Sequence, residues 1–263
     1  LTIMEESQEL IERITNGGKL PMITSCSPGW IRYCEFYYPE QLDHLSTCKS
    51  PQQMFGATIK TWYAQKMGID PAKIVSVSVM PCTAKKFEIG RDDQNAAGMA
   101  DVDYSITTCQ LARTIKGAGN NFNILPEEAF DSPLGEGSGA AVIFGATGGV
   151  MEAALRTAAE WVTGETLTEV DFTEVRGLQG VKEATYKLGD LELNVAVASS
   201  LTKANEILEK VKAGEKAYHF IEIMGCPGGC INGGGQPIQP ATVRNFVDLV
   251  EKRAAALYRD DAK

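Results

Sequence analysis

The sequence predicts an α/β fold of mainly parallel β-sheets flanked by helices, on three observations. Helical and strand signals alternate from end to end of the 263 residues, the pattern of strands joined by helical crossovers. The best apolar stretches, 74–80 and 195–198, have the length of strands. Three strand signals stop at a cysteine followed by a Pro/Gly loop, at Cys26, Cys82 and Cys226. Carboxyl ends of strands are where open α/β sheets build their ligand sites.

Taken in order, Thr2-x-x-Glu5 reads as a capping box opening a first helix, with Met4, Leu10, Ile11 and Ile14 as its apolar face and Gly17-Gly18 as its stop. A strand is expected over 21–24, and residues 31–34 start a further helix. Behind Pro51 a helix is expected over 52–67, then a buried strand over 74–80. Thr107 or Thr108 is placed to cap a helix running to Lys116. A Gly-rich loop over 134–149 leads into a helix over 150–163, with Met151, Ala154, Leu155, Ala158 and Val162 on one side. Residues 181–188 and 192–198 read as a hairpin around Gly189-Asp190, 201–212 as a helix, 218–224 as a strand and 241–258 as a last helix.

Hydrophobic residues at 44% and charged ones at 22% are the proportions of a globular protein and exclude disorder and a coiled coil. No apolar run approaches the roughly eighteen residues of a membrane span. With 25 basic against 34 acidic side chains, net −9, nothing is offered to a phosphate backbone or an anionic bilayer, so neither nucleic acid nor membrane is an expected partner. The seven cysteines are odd in number and no signal peptide precedes them. A disulfide framework is therefore not expected, and a cytoplasmic setting is. There is no C-x2-C pair, and His44 and His219 are far apart, which removes zinc ribbons, zinc fingers and ferredoxin-type cluster runs. The chain begins with Leu1 and reads as short at its N-terminal end.

Cys34 and Cys109 lie within helical signals and are most simply small buried hydrophobes. Cys226 and Cys230 ask for more. Cys226-Pro-Gly-Gly-Cys230 sets two sulfurs one helical turn apart among glycines that let backbone amides approach sulfur closely. Gly233-Gly234-Gly235 then offers a stretch without side chains, suited to a bulky cofactor. A tight turn would explain a lone glycine triplet; it does not explain Glu222, Met224, both cysteines, the glycines and Gln236-Pro237 in one fixed order.

Three segments together resemble the signature motifs of the catalytic domain of [FeFe]-hydrogenases: Thr24-Ser25-Cys26-Ser27-Pro28-Gly29-Trp30, Met80-Pro81-Cys82-Thr83-Ala84-Lys85-Lys86-x-Glu88, and the stretch 222–237. Residues 49–53 and 144–152 also match, so the resemblance spans essentially the whole chain, 1–263, with no accessory ferredoxin domain. It implies two lobes of mainly parallel sheet flanked by helices, with a metal cofactor between the lobes. The implied cofactor is the H-cluster, a [4Fe-4S] cubane joined through one cysteine to a diiron unit carrying CO, cyanide and an azadithiolate. Cys82, Cys226 and Cys230 map onto three cubane ligands, Cys230 onto the bridging one. The fourth position, just before the first motif's proline, holds Ser27 here. An alkoxide can ligate iron, but a hydroxyl is far harder to deprotonate than a thiol of pKa about 8.5, and the harder oxygen should lower the cluster potential. Ser27 as oxygen ligand, an exchangeable fourth site, and Cys26 ligating instead are the three readings; Ser27 as ligand or near-ligand is the one expected.

The resemblance also implies a proton path of Glu9, Ser46, Glu6, an ordered water and Cys26, with Arg13 near its outer end. Read alone, helical glutamates beside an arginine would be a solvated face. It further implies that Lys85 anchors a cyanide ligand by a charge-assisted hydrogen bond, supported by Glu88. Met80, Met224, Pro51, Gln52 and Phe144 are expected to line the cofactor and exclude water, and Lys86 to be at the surface. H2 and protons are the implied substrates, and an external carrier such as ferredoxin or a partner subunit the implied electron donor. A hydrogen sensor, an iron-sulfur assembly protein and an inactive homologue are the competing readings. Cys26 speaks against the first, Lys85, Glu6, Glu9 and Ser46 against the second, and Ser27 is the best evidence for the third.

Overall fold

The computed structural model describes residues 1–135, 137–167, 172–178 and 180–262; position 136 of the expected Gly-rich loop lies outside the described residues. Two compact units divide the chain. The first comprises Leu1–Ser50, Gly139–Asn232 and Arg244–Lys263; the second comprises Pro51–Ser138 and Gly233–Val243.

In the first unit, helix α1 (Thr2–Thr15) leads to a short strand β1 (Met22–Ile23), a loop carrying Cys26 and Ser27, and helix α2 (Pro28–Tyr37), whose Pro28 stands in the first turn, where a missing N–H is harmless. The expected capping box on α1 does not form. Helical backbone begins at Thr2 itself, so Leu1 is the N-cap and Thr2 is already inside the first turn. The second unit holds α3 (Pro51–Thr58), a π-helical turn (Ile59–Tyr63) and α4 (Ala64–Met67), which together make the expected helix behind Pro51. Strand β2 (Val77–Met80), α5 (Lys85–Glu88), β3 (Tyr104–Thr107) and α6 (Thr108–Gly117) complete it. Thr107 caps α6 with a full capping box, trading hydrogen bonds with Gln110.

Strand β3 has no counterpart in the sequence reading, and β2 is a correction to it. β2 and β3 pair in parallel with Val77 against Tyr104 and Val79 against Ile106. That face is the open one, Val77 being 51% and Val79 41% exposed, while Ser105 and Thr107 on the other face are buried. Residues 74–80 are thus half a strand, with its apolar face outward.

The remaining first-unit elements are α7 (Gly139–Ile143), α8 (Gly149–Thr163), the hairpin β4 (Gly180–Leu188) and β5 (Leu191–Ser199), α9 (Leu201–Lys212) and β6 (Phe220–Met224). Helix α10 (Ala241–Arg244) and helix α11 (Leu249–Asp261) divide the expected last helix in two, because the Asp248 carboxylate caps a fresh N-terminus at Val250 and Glu251. The sheet order is β1-β6-β5-β4, parallel except for the β4–β5 hairpin.

Alternation along β6 sorts the core. Ile221 and Ile223 face a cluster with Trp30, Cys34, Ala204, Ile207 and Leu208 from α2 and α9. Phe220 faces the opposite way, with Leu10 of α1 and Met151, Leu155 and Ala158 of α8. A one-residue slip of β6 would turn Glu222, which shares the Phe220 face, into the α2/α9 core.

Candidate functional site

Two groups of side chains stand out, one in each unit. In the first unit, Glu6 and Glu9 lie three apart on α1, and residues 44–47 pass alongside. Arg13 ties that segment down, donating from Nη1 to the His44 carbonyl at 3.2 Å and from Nη2 to the Leu45 carbonyl at 2.8 Å. It also donates to Glu9 Oε1, at 3.0 Å from Nε and 2.6 Å from Nη2. Ser46 Oγ donates to Glu9 Oε2 at 3.0 Å, and the Thr47 amide reaches both Glu9 oxygens. Glu6, 3% exposed, also hydrogen-bonds Ser46.

The two carboxyls are driven apart in acidity. Burial pushes Glu6 up to about 7, with the charges of Glu9 and Glu222 adding to it against the Ser46 hydrogen bond. Burial also acts on Glu9, but the Thr47 amide, Arg13 and Ser46 outweigh it and hold Glu9 below the usual range. A serine hydroxyl has one proton to give and lone pairs to receive. Ser46 thus stands between the two carboxyls: its hydroxyl donates to Glu9, and when Glu6 carries a proton that proton can be given to the Ser46 oxygen, so the three groups line up as a proton wire. Cys48, not singled out from the sequence, borders it: its amide donates to Ser46 Oγ at 3.2 Å, and burial pushes its thiol up to about 12. Its carbonyl accepts from Ser25 Oγ, the residue before Cys26.

Cys226 and Cys230 follow β6 on the same unit. They are joined by a tight turn rather than by the helical turn expected. The Gly229 amide donates to the Cys226 carbonyl at 3.0 Å, and Gly228 and Gly229 both take left-handed backbone, φ +83° and +97°, before a short 3-10 stretch begins at Cys230. Both thiols are half-buried.

In the second unit, Lys85 and Glu88 are 7% and 6% exposed and form an ion pair at 3.0 Å. Gln52 donates to Glu88 Oε2 and to the Lys85 carbonyl, and accepts from Ser78 Oγ at 2.8 Å. Ser78, on the inward face of β2, was not foreseen. Cys82, three residues before Lys85, is a half-buried thiol. Pro81 O accepts from the Gly235 amide at 2.8 Å, which seats the glycine triplet at the end of β2. Pro51, Met80 and Phe144 are half-buried, Met224 is buried, and Lys86 is exposed. Cys34 is fully buried as expected, whereas Cys109 is half-buried at the start of α6. Among the described residues no three Cys, His, Asp or Glu side chains converge on a single ion; an iron-sulfur cubane spreads its ligands over four corners.

The profile of the family described as "Iron only hydrogenase large subunit, C-terminal domain" matches residues 1–234. The chain belongs to that family. It is 52% identical to the NADP-reducing hydrogenase subunit HndD of Solidesulfovibrio fructosivorans, over 100% of this chain and 45% of that protein. It is 48% identical to iron hydrogenase 1 of Clostridium pasteurianum, over 99% of this chain and 46% of the relative. The chain thus spans about half the length of these relatives. A solved structure of the [FeFe]-hydrogenase HydA1 from Chlamydomonas reinhardtii superposes with a TM-score of 0.81 at 42% identity, over 98% of this chain and 71% of that one.

For an iron-only hydrogenase domain, Ser27 is the departure, and its surroundings bear on it. Ser27 is the N-cap residue of α2, yet its side chain makes no capping hydrogen bond. Its Oγ instead packs against the backbone of Gly225, where a Cβ would stand only 2.9 Å from it. The Ser27 hydroxyl is therefore held against the residue that precedes Cys226.

Proposed function

We propose that this chain is the catalytic domain of an [FeFe]-hydrogenase that interconverts H2 with protons and electrons. The observation that carries the reading is the buried Glu6–Ser46–Glu9 wire, with one carboxyl poised near 7 and the other held ionised. Proton delivery through an apolar shell requires a carboxyl that gains and loses its proton near neutrality beside a second hydrogen-bonded carrier, and Glu6 and Glu9 stand on either side of Ser46 in that way. The names of the relatives support the same reading.

The donor set fits an H-cluster. Soft thiols at Cys226 and Cys230 project from a glycine turn, Cys82 from the end of β2, and iron-sulfur clusters are bound by such thiolates. These three cysteines would hold the cubane, with Ser27 Oγ as the fourth donor, beside Gly225. When bound, the group supplies the iron at which H2 is made or split and the cubane through which electrons pass.

The protein's own part is to place, shield and move protons. Cys26 is assigned the innermost proton position, with a water linking it to Glu6. Glu6 takes the proton at its carboxyl, Ser46 relays it, and Glu9 releases it where Arg13 marks the outer end. Lys85, fixed by Glu88 and Gln52, is assigned the hydrogen bond to a cyanide ligand. Met80, Met224, Pro51, Gln52 and Phe144 exclude water. Electrons come from an external carrier such as ferredoxin or from a partner subunit, and the setting is cytoplasmic.

The test is H2 evolution from a reduced dye after maturation with a synthetic diiron precursor. Gas together with CO and cyanide infrared bands is expected. Absence of both overturns the proposal; bands without gas would favour a sensor, against which Cys26 speaks, or an inactive homologue, for which Ser27 speaks.

A further inference from the structure

Glu222 opens the third motif, and beyond the charge it sets near Glu6 it has no step in the chemistry above. It is fully buried on the face of β6 that meets α1 and α8, in register with Val197. Both its oxygens are used on the start of α8: Oε1 accepts from the Gly148 amide at 2.7 Å and Oε2 from the Met151 amide at 2.6 Å. The helix needs this because its N-cap is Gly148, which has no side chain to cap with. No other residue could stand there, since φ is +89° and a Cβ would lie 2.2 Å from the Val175 carbonyl.

The residues just before this cap run against the cysteine turn. The Thr147 amide donates to the Gly228 carbonyl at 3.2 Å, and the Ile231 amide donates to the Gly145 carbonyl at 3.0 Å. Ser199 Oγ accepts from the Gly228 amide at 2.8 Å and lies 3.3 Å from Thr147 Oγ1. The fit leaves no slack, for a Cβ on Gly229 would stand 2.7 Å from the Gly145 carbonyl. Meanwhile β6 runs on from Glu222 through Met224 directly into Cys226. The contacts close a ring: along β6 to the turn 226–230, across to 145–147, into the first turn of α8, and back to the Glu222 carboxylate.

We propose that Glu222 is a positioning residue for the cluster-binding turn, holding Cys226 and Cys230 in their ligating arrangement by locking residues 145–148 against them. The inference rests on the H-cluster reading. Glutamine keeps the shape but sets an N–H donor opposite one of the two backbone amides, so one tie opens and the ring with it.

The native protein, Glu222→Gln and the control Glu152→Gln are reconstituted with ferrous iron and sulfide. Glu152 is an equally buried carboxylate on α8, but its partners are Arg156 and Arg176. Melting temperature, iron release to a ferrous chelator and the electron paramagnetic resonance spectrum of the reduced cluster are then measured. Glu222→Gln is expected to release iron about ten- to a hundred-fold faster, the scale on which supporting residues act on bound metals, with altered g values. Glu152→Gln is expected to lose thermal stability while releasing iron at the native rate. Ser199→Ala opens the same ring at another bond and should speed release in the same direction, which keeps the test alive if Glu222→Gln does not fold. Equal release from the Glu222 and Glu152 variants, or native release and spectra from Glu222→Gln or Ser199→Ala, overturns the inference while leaving the H-cluster reading intact. A native protein that takes up no cubane overturns both.

Discussion

Glu6 and Glu152 are both glutamates on first-unit helices, and both are nearly out of solvent, at 3% and 0% exposed. Their partners make them opposites. Glu152 is gripped by two arginines: Arg156 at 2.8 Å and Arg176 at 2.7 Å, and Arg156 reaches on to Asp261 at 2.8 Å. That network fastens α11 to α8. Glu6 has a hydroxyl where Glu152 has guanidinium groups, and burial, aided by the charges of Glu9 and Glu222, carries it up to about 7. The same side chain becomes an anchor or a proton carrier according to whether its counter-charge is built in.

The largest expected effects break the carrier. Glu6→Gln keeps the shape and removes the titrating proton, so H2 evolution should fall about 10²- to 10⁴-fold with the fold retained and the melting temperature held below pH 4.5. Cys26→Ala should abolish turnover while CO and cyanide infrared bands survive; loss of the bands would make Cys26 a ligand instead. Breaking the anchor reads differently. Glu152→Ala takes the shared carboxylate from two half-buried arginines and should cost about 1–3 kcal/mol in thermal unfolding, with turnover per bound cluster preserved.

A smaller effect is read in the pH dependence of stability. The folded pKa of Glu6, about 7, lies above its ordinary 4.5. Its neutral form thus contributes stability that is complete below pH 4.5 and is lost as pH rises through about 7. Melting temperature should fall over that window in the native protein and fall less steeply in Glu6→Gln, with Glu222, also pushed up to about 7, supplying the rest of the slope. An unchanged slope would mean that Glu6 does not titrate there. The smallest effect concerns Ser27→Cys, which should raise the iron retained per chain, as a thiol ionises more readily than a hydroxyl.

How much was legible depended on how local the cause was. The hairpin around Gly189-Asp190 and the helix 201–212 follow from neighbours in sequence and lie where expected, while the structure settles the cap of α6 on Thr107 rather than Thr108. The capping box at Thr2 failed because helix entry one residue earlier moves Thr2 out of the cap. The break at 245–248 was missed because Asp248 competes with helix continuation, and periodicity does not register caps inside a run. The outward face of β2 was missed because alternation marks two faces without saying which is covered. Glu6 and Glu9 read as a solvated face until the motifs gave them a role, since their burial is made by residues 44–47 arriving from elsewhere in the chain.

The sequence by itself determined the α/β class, the family, and which residue types stand at the cysteine loops and along the relay, because motif spacing and periodicity are local properties. Only the tertiary structure decided which carboxyl is pushed up and which is held down in acidity, what Ser27 touches, and that Glu222 ties α8 to the turn of Cys226 and Cys230. Each of those depends on burial and on partners tens to hundreds of residues away, and a charge in a low-dielectric core takes its character from what faces it rather than from what precedes it in the chain.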